Sequence, residues 1–454
     1  MVFSSLTFIV LFLPVFLLVY FCVPKQYLKA RNFVLLIFSL LFYAAGEPVW
    51  VVLLIFSASS DCLIGLFMEK YQGRWQSKVL LVISMCCSLG LLVIFKYSEF
   101  LLRLVGIHIT FAPVLPIGIS FYTFQTMSYS IDLYRGRIKA QRNPIAFLTY
   151  VAMFPPLIAG PIVRYADIEK MLTERITSLA KVSEGISRFV MGLGKKVIFA
   201  DHAGAVSSEL LSAGASTQAI WLGVVMFMFQ IYFDFSGYSD MAIGLGKIIG
   251  FDIKENFDYP YESKSITEFW RRWHISLGTF FREYLYIPMG GNRKRAVFNI
   301  LFVWMITGLW HGASINFVMW GMYFGVILLF EKYVLRGALK KIPGFFAHGY
   351  CLFVVLFGWL LFYFTDLRQL RMAIMGFFGA GGLLTDYRAT ELLLANLWIL
   401  PALAIFSTRA PMRLLQYVQS KIPVAQPIFN LAVVLVSFVL MIGQTFSPFI
   451  YFRF

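Results

Sequence analysis

The fold is decided by the stretch AVFNILFVWMITGLWHGASINFVMWGMYFGVILLF, which occupies residues 296–330. It contains no Asp, Glu, Lys or Arg over 35 residues. A transmembrane helix needs about 20 predominantly apolar residues, so the stretch is long enough to hold more than one helix. Gly308, Gly312 and Gly321 mark the places where it can bend. We therefore expect this part of the chain to lie in a membrane.

The composition of the whole chain also points to a lipid environment. Of its 454 residues 59% are hydrophobic and 14% are charged, and the mean hydropathy is +0.76. Soluble domains carry about 25% charged residues and disordered chains have low hydrophobicity, so both classes are excluded. The net charge of +16 is ascribed to cytoplasmic loops and contacts with lipid headgroups. No basic run is long enough for a nucleic-acid-binding arm, so membrane lipids, and no nucleic acid, are the expected partners.

Further charge-poor windows predict an all-α polytopic membrane protein. The spacing of these windows favours about eleven membrane-embedded helices, with additional re-entrant and amphipathic helices. One membrane-embedded domain over residues 1–454 is expected, because a bundle of spans packs as one unit. The clearest windows are residues 1–24, 79–95, 143–162, 210–233, 296–330, 345–365, 392–408 and 422–452, and the weaker ones are 33–45, 51–68, 114–131, 197–208 and 372–384.

Basic residues predict the orientation of the first part of the chain. Lys25, Lys29 and Arg31 follow the window 1–24, and Arg74 and Lys78 follow the window 51–68. Because cytoplasmic loops are enriched in Lys and Arg, the N-terminus is expected outside and both of these loops inside. The first window has no basic n-region, which favours a retained span over a signal peptide. Residues 164–188 carry mixed charges on a helical spacing and predict an amphipathic helix at the interface.

The most informative polar segment is SITEFWRRWHISLGTFFREYLYIPMGGN, residues 265–292. Two interpretations remain open for it. As an interfacial helix it would place Trp270 and Trp273 in the aromatic belt and its arginines on headgroups. As part of the bundle it would line a wet cavity, because ionisable groups in a membrane are usually paired or functional.

A second polar element is ITGLWHGA, residues 306–313. His311 lies in the charge-free stretch and is flanked by Gly308 and Gly312, whose small size lets a ligand or another helix approach the ring. A histidine in a span is often a hydrogen-bonded packing residue. A neutral imidazole is nevertheless cheaper to embed than a carboxylate and can serve as a general base, so His311 is the best catalytic candidate.

A third element is YFDFSGYSD, residues 232–240, at the end of an apolar run. Asp234, Ser236 and Asp240 can cap a broken helix or orient a catalytic histidine. Two aspartates six residues apart are a weak signal for a metal. The cysteines lie in apolar stretches without CxxC or Cys/His spacing, which speaks against a disulfide framework and a zinc site. We expect no metal site.

Together these motifs resemble the membrane-bound O-acyltransferase family, and within it the bacterial branch that serves alginate O-acetylation. The resemblance covers nearly the whole chain in order. It rests on LPIGISFYTF (115–124), LIAGPIVR (157–164), YFDFSGYSDMAIGLG (232–246), ITEFWRRWHISLGTFFREYLYIPMGGNR (266–293) and GLWHGA (308–313). One departure is Pro156, where members of this branch commonly have a histidine before LIAGP, so no role is carried over to that position.

The resemblance implies a site and a reaction. His311 matches the family's catalytic histidine and His274 the second histidine of a central tunnel. Arg271 and Arg272 are expected to position or stabilise charge, and the other residues expected along the tunnel are Trp310, Asp234, Ser236 and Asp240. The implied reaction moves an acetyl group from acetyl-CoA, a cytosolic thioester, to a hydroxyl of an extracytoplasmic polysaccharide such as alginate.

The resemblance also implies the surroundings of the reaction. The expected location is the bacterial cytoplasmic (inner) membrane, crossed many times. No permanently bound cofactor is expected, since acetyl-CoA is a substrate. The chain shows no catalytic domain of the extracytoplasmic type, so a separate extracytoplasmic transferase is expected as a partner.

The C-terminal sequence FIYFRF, residues 449–454, resembles an aromatic motif of such export systems. By that resemblance Tyr451 is a nucleophile activated by His311, which would hold the acyl group as an ester and divide the transfer into two steps. The alternative is an aromatic belt at the membrane interface, which Phe449, Tyr451 and Phe454 fit equally well.

Two alternatives for the function are left open by the sequence. A transporter or flippase of a lipid-linked or charged substrate would use the same polar bundle without chemistry, and it would tolerate Gln in place of His311. Alternatively, the protein is an acyltransferase whose acceptor is peptidoglycan, teichoic acid or a protein.

Overall fold

The computed structural model describes residues 3–107, 114–211, 215–335, 337–443 and 449. Helices dominate these residues, and no strand occurs among them. This confirms the predicted fold class, an all-α polytopic membrane protein. By length and apolar composition, six of the described helices can cross a membrane, or seven if a bent pair counts as one span. The six are Val51–Lys70, Trp75–Leu104, Thr217–Ile249, Ile315–Tyr333, Gly344–Tyr363 and Ala425–Gly443.

The predicted count of about eleven is not confirmed, and the reason is visible in the helix lengths. Several predicted windows form helices of fewer than 18 residues, including Thr7–Cys22 in the first window and Ala296–His311. Another window is divided into Tyr387–Ala395 and Ile399–Phe406, which are bent by 63° relative to each other. Apolar composition therefore identified these segments correctly as helical, but breaks in the helices leave them shorter than a full span.

The chain divides into two compact units, and the expectation of one domain over residues 1–454 stays a prediction. The first unit comprises Met1–Phe189 and Tyr238–Glu255. Its helices are α1 (Leu13–Cys22), α2 (Leu28–Ala44), α3 (Val51–Lys70), α4 (Trp75–Leu92), α5 (Ser98–Leu104), α6 (Ile119–Tyr134), α7 (Pro144–Ala152), α8 (Phe154–Leu157), α9 (Tyr165–Ile168), α10 (Met171–Glu174) and most of α11 (Leu179–Gly194).

Residues 164–188 of the first unit do not form one amphipathic helix, so that prediction was wrong. The segment contains the single-turn helices α9 and α10 and then the start of α11. The chain is extended at Arg175, a residue that is buried and only 7% exposed. It donates to the Tyr20 hydroxyl at 2.9 Å and to the carbonyl of Ile249 at 3.2 Å. Burial of this arginine decides the break, and its effect is not visible in a spacing pattern.

The second unit comprises Val190–Gly237 and Asn256–Phe454 and carries the candidate site. Its helices are α12 (Asp201–Leu210), the first two thirds of α13 (Thr217–Ile249), α14 (Ile266–Arg272), α15 (Ile275–Phe281), α16 (Ala296–His311), α17 (Ile315–Tyr333), α18 (Gly344–Tyr363), α19 (Leu367–Phe377), α20 (Tyr387–Ala395), α21 (Ile399–Phe406), α22 (Ala410–Lys421) and α23 (Ala425–Gly443).

Helices α16 and α17 form a tight hairpin that divides the charge-free stretch near Gly312, as the glycine pattern predicted. Gly308 of α16 faces the backbone of Phe317 and Gly321, and Gly321 of α17 faces the backbone of Trp304. Small residues allow helix backbones in a membrane to approach closely. The glycines therefore fix how α16 presents its last residue, His311.

Replacing Gly308 by alanine is expected to destabilise the second unit. The new Cβ would overlap with the carbonyl oxygen of Phe317, a backbone atom that has no other rotamer to adopt. Overpacking of this kind typically costs about 1–3 kcal/mol. The matched control is Gly349→Ala on α18, where a Cβ meets nothing within 4 Å. Heating in detergent followed by size-exclusion chromatography should show a lower melting temperature for Gly308→Ala alone, and equal values for both variants would contradict the packing argument.

Candidate active site

A cavity of about 900 Å³ lies in the second unit, between the segment containing α14 and α15 and the hairpin of α16 and α17. His274 and His311 both line it. These are the two histidines that the sequence predicted for the tunnel, and the fold brings them to one cavity although 36 residues separate them in the chain. Their catalytic roles stay predictions.

His311 is the last residue of α16, and the chain continues in extended conformation at Gly312. Its side chain is buried among aromatic rings, with 6% of the residue exposed. The rings of Trp320 and Phe362 meet it edge-on, at centroid distances of 5.0 and 5.3 Å. Such packing holds the imidazole in one orientation and keeps bulk water away, which suits a base in a low-dielectric site.

His274 lies between α14 and α15 in an unusual backbone conformation, with φ 44° and ψ 55°. The side chain is 2% exposed, and its Nδ1 atom lies 3.1 Å from Oδ1 of Asn256. Burial lowers the pKa of the His274 imidazole to about 3. The ring is therefore neutral around pH 7.

The ring of Trp310 lies near both histidines. Its ring centroid is 5.0 Å from that of His311 and 6.0 Å from that of His274. The residue is 4% exposed. The sequence predicted Trp310 in the tunnel; the ring lies close to both histidines but is not part of the described cavity wall.

The segment 265–292 had two open interpretations, and its aromatic residues are buried in protein. Trp273 is 3% exposed and packs on Trp359 with centroids 4.9 Å apart. Trp270 lines the cavity together with His274. This part of the segment thus contributes to a cavity wall, as the second interpretation held.

The two arginines of this segment are placed differently. Arg271 is exposed and lines the cavity. Arg272 does not belong to the described cavity wall, and its guanidinium pairs with Glu268 at 2.6 Å and approaches Glu262 to 3.7 Å. Arg272 thus serves to anchor the end of α14.

The start of α14 is held by a buried carboxylate from α17. Glu331, which is 8% exposed, accepts hydrogen bonds from the backbone amides of Ile266 at 2.6 Å and Thr267 at 2.8 Å. A carboxylate at a helix N-terminus satisfies free amides and complements the helix dipole. Glu331 therefore ties the segment with His274 to the hairpin with His311.

The predicted tunnel residues of α13 lie outside the described cavity wall. Asp234 is buried and forms an ion pair with Lys196 at 2.8 Å, and Ser236 is 1% exposed two residues later. Phe235, between them, meets the His274 ring edge-on at 4.6 Å. Asp234 thus fixes a helix turn that packs against His274. Asp240 belongs to the first unit, where Arg188 donates to it at 2.8 Å.

Several functional neighbours escaped sequence reasoning. Asn256, Lys196 and Glu331 lie outside the quoted motifs or in stretches that show no distinctive pattern. Each is buried and polar, and each contacts a residue of a motif. Their signal in the sequence is weak, because a single polar residue does not reveal its partner.

Of the predicted C-terminal motif, residues 449–454, the structure describes Phe449. Tyr451 lies outside the described residues, and so does His108. Phe449 is described, is 3% exposed, and packs on Phe235 with centroids 5.9 Å apart. Phe449 is thus buried in protein, which does not fit an interfacial aromatic belt at that position.

The other described histidines, His202 and His348, contact polar atoms outside the described cavity wall. The His202 ring lies 2.6 Å from Oδ1 of Asn396, and the His348 ring lies 3.1 Å from the carbonyl of Ser263. No group of three or more His, Cys, Asp or Glu side chains is placed to hold a metal ion within the described part of the chain.

Comparison with known proteins identifies the class. The family model of the membrane-bound O-acyltransferase family matches residues 36–374. The chain belongs to this family, and it is a multi-pass membrane O-acyltransferase. The sequence left a transporter open as an alternative, and the family assignment decides for the enzyme.

Individual relatives cover most of the chain. A probable alginate O-acetylase of Pseudomonas syringae is 41% identical over 87% of this chain and 78% of its own length. A peptidoglycan O-acetyltransferase of Helicobacter pylori is 31% identical over 84% of this chain and 80% of its own length. A teichoic acid D-alanyltransferase of Bacillus subtilis is 29% identical over 48% of this chain and 60% of its own length.

Proposed function

We propose that this chain takes acetyl groups from acetyl-CoA on the cytosolic side of the bacterial inner membrane and passes them outward for O-acetylation of a polysaccharide. An alginate-like glycan is the proposed acceptor, because an alginate O-acetylase is 41% identical over 87% of the chain. The observation that carries the proposal is the cavity of about 900 Å³ lined by both His274 and His311.

The first half-reaction is proposed to form an ester on Tyr451. His311 takes the phenolic proton as the phenol oxygen attacks the thioester carbonyl. A new C–O bond forms, the C–S bond breaks, and the proton is returned to the leaving thiolate, which departs as CoA. In the second half-reaction another hydroxyl attacks this ester and frees the tyrosine.

The position of Phe449 supports the involvement of Tyr451. Phe449 packs on Phe235, whose ring in turn meets His274. Tyr451 follows Phe449 by two residues in the sequence.

The charges around the cavity support an anionic donor. Among the described residues, four cationic side chains and two carboxylates line it. One of those carboxylates, Glu331, is engaged with the amides of α14. Lys and Arg groups of this kind bind the phosphates of a coenzyme A thioester. The cations are Arg271, Arg282, Lys332 and Lys340.

The finer architecture is part of the same proposal. Shorter apolar helices such as Thr7–Cys22 and Ala296–His311, added to the spans of sufficient length, support about eleven membrane-embedded helices around a central tunnel. Delivery to the glycan is assigned to a separate extracytoplasmic transferase, which would also select the acceptor. No permanently bound cofactor is proposed.

The experiment that tests this function is a labelling assay. Purified protein receives acetyl-CoA with an isotopically marked acetyl group, and the C-terminal peptide is analysed by mass spectrometry. Label is expected on Tyr451 in the wild type and is expected to be absent from Tyr451→Phe and His311→Ala. Tyr417→Phe is the matched control, because Tyr417 lies on α22 with 64% of its surface exposed.

Each outcome decides between specific mechanisms. If the wild type turns over acetyl-CoA in a His311-dependent way without label on Tyr451, transfer is direct and the ester intermediate is refuted. If acetyl-CoA is not consumed with any acceptor, including alginate fragments with the separate transferase, the proposed donor is wrong.

A further inference from the structure

The side-chain oxygen of Asn256 accepts two hydrogen bonds from Ser276 and lies against the ring of His274. Oδ1 lies 3.2 Å from the backbone nitrogen of Ser276, 2.8 Å from its hydroxyl, and 3.1 Å from Nδ1 of His274. A backbone N–H group can only donate, which identifies this amide atom as oxygen. Nδ1 of His274 must therefore carry a proton, because two acceptors cannot bond to each other.

Asn256 also supports the strained backbone at His274. A non-glycine residue in the left-handed region costs about 1–3 kcal/mol and persists only where its surroundings enforce it. Here the carbonyl oxygen of Asn256 accepts a hydrogen bond from the backbone nitrogen of Ile275 at 2.9 Å. Asn256 is 1% exposed, so water does not compete for either of its groups. One residue thus holds both the ring and the main chain of His274.

The opposite ring nitrogen of His274 is an acceptor. Because Nδ1 carries the proton of the neutral ring, Nε2 has a lone pair. Nε2 is buried and has no hydrogen-bond partner among the described residues. Leaving a buried acceptor without a partner costs about 1–3 kcal/mol, so the site is suited to a donor that arrives from elsewhere. His274 lines the cavity where such a donor would enter.

We propose that Asn256 is a positioning residue that holds His274 in the Nδ1-protonated tautomer, so that Nε2 is the base of the second half-reaction. The proton of the incoming hydroxyl moves to Nε2 as its oxygen attacks the tyrosyl ester. The new C–O bond forms, the bond to the tyrosine oxygen breaks, and Nε2 returns the proton to the tyrosine. The second part of this inference rests on the proposed function, whereas the tautomer does not.

The tautomer is tested by ¹⁵N nuclear magnetic resonance on protein labelled at histidine. The wild type should show an unprotonated Nε2 signal that disappears in His274→Gln, which assigns it. In Asn256→Leu this signal should be lost or should shift toward the position of the Nε2-protonated form. Asn256→Asp keeps an acceptor for Nδ1–H and should therefore show the same signal as the wild type. An unchanged signal in Asn256→Leu would overturn the positioning role.

A buried asparagine elsewhere provides the matched control. Asn299 is 1% exposed, and its amide nitrogen donates to three backbone carbonyls near the start of α16. Asn299→Leu should lower thermal stability but leave the His274 signal unchanged. A shift of that signal in Asn299→Leu would mean that any core damage changes the tautomer, and this would overturn the specific role of Asn256.

The second half-reaction is tested by following the loss of label from Tyr451, with water and glycerol as hydroxyl acceptors. Asn256→Leu and His274→Gln should still acquire label but discharge it at least tenfold more slowly than the wild type, with the KM for acetyl-CoA unchanged. Normal discharge in both variants would overturn the role of His274 in the second step. Absence of label in the wild type would refute the ester intermediate, and with it this second step, and the resonance experiment would still decide the tautomer.

Discussion

Replacing His311 by alanine or glutamine is expected to reduce the turnover of acetyl-CoA by about 10²–10⁴-fold, the range of a general base. Glutamine keeps much of the volume that Trp320 and Phe362 enclose but cannot take up a proton. The KM for acetyl-CoA should change little, since the cationic side chains at the cavity are untouched. Initial rates on purified protein in detergent, at saturating donor, measure this effect.

The matched control is His348→Gln. His348 is half-buried, and its ring bonds to the carbonyl of Ser263 away from the described cavity wall. This variant should keep nearly full activity. If His311→Gln retained wild-type turnover while folding normally, His311 would be a packing residue, and the base would have to be sought elsewhere.

Replacing Lys196 by methionine is expected to destabilise the second unit by about 3–5 kcal/mol. The Lys196 side chain is 5% exposed, and its ammonium lies 2.7 Å from Asp201 and 2.8 Å from Asp234, whose side chains are 10% and 2% exposed. Removing the shared cation leaves two buried negative charges that it no longer compensates. The melting temperature in detergent should fall markedly, together with the yield of monodisperse protein.

Two variants test whether charge or packing is responsible. Lys247→Met removes an ammonium whose partner Glu184 is 64% exposed, so its effect should stay within about 1 kcal/mol. Adding Asp234→Asn to Lys196→Met should recover part of the stability, because one uncompensated charge is removed. If Lys196→Met were as stable as Lys247→Met, the buried ion network would make no net contribution to the stability of the protein.

This ion network also bears on activity. Asp234 precedes Phe235, whose ring packs edge-on against His274. A loss of order around Lys196 should therefore reach the His274 imidazole through one helix turn. The sequence motif that contains Asp234 suggested that this carboxylate orients a catalytic histidine, and this role stays a prediction.

The motif residues and their partners differ in how far they could be predicted. The break near Gly312, the burial of His311 and the helical class follow from local patterns, because apolar runs and glycines act on neighbouring residues. Arg272 and Asp240 looked equivalent to Arg271 and Asp234 by residue type. The Arg272–Glu268 ion pair is an i,i+4 pair within α14, so a local helical pattern can relate its partners. The pair between Asp240 and Arg188 joins segments 52 residues apart, which a local pattern does not relate.

The sequence by itself determined that the chain resides in a membrane, that it is helical, which family it belongs to and which histidines to examine. Residue composition and contiguous motifs carry that information, because lipid burial is a sum over local residues. Only the tertiary structure decided that His274 and His311 share one cavity and that the side chain of Asn256 lies against Nδ1 of His274. These contacts join segments far apart in the chain, and their geometry depends on how the helices pack.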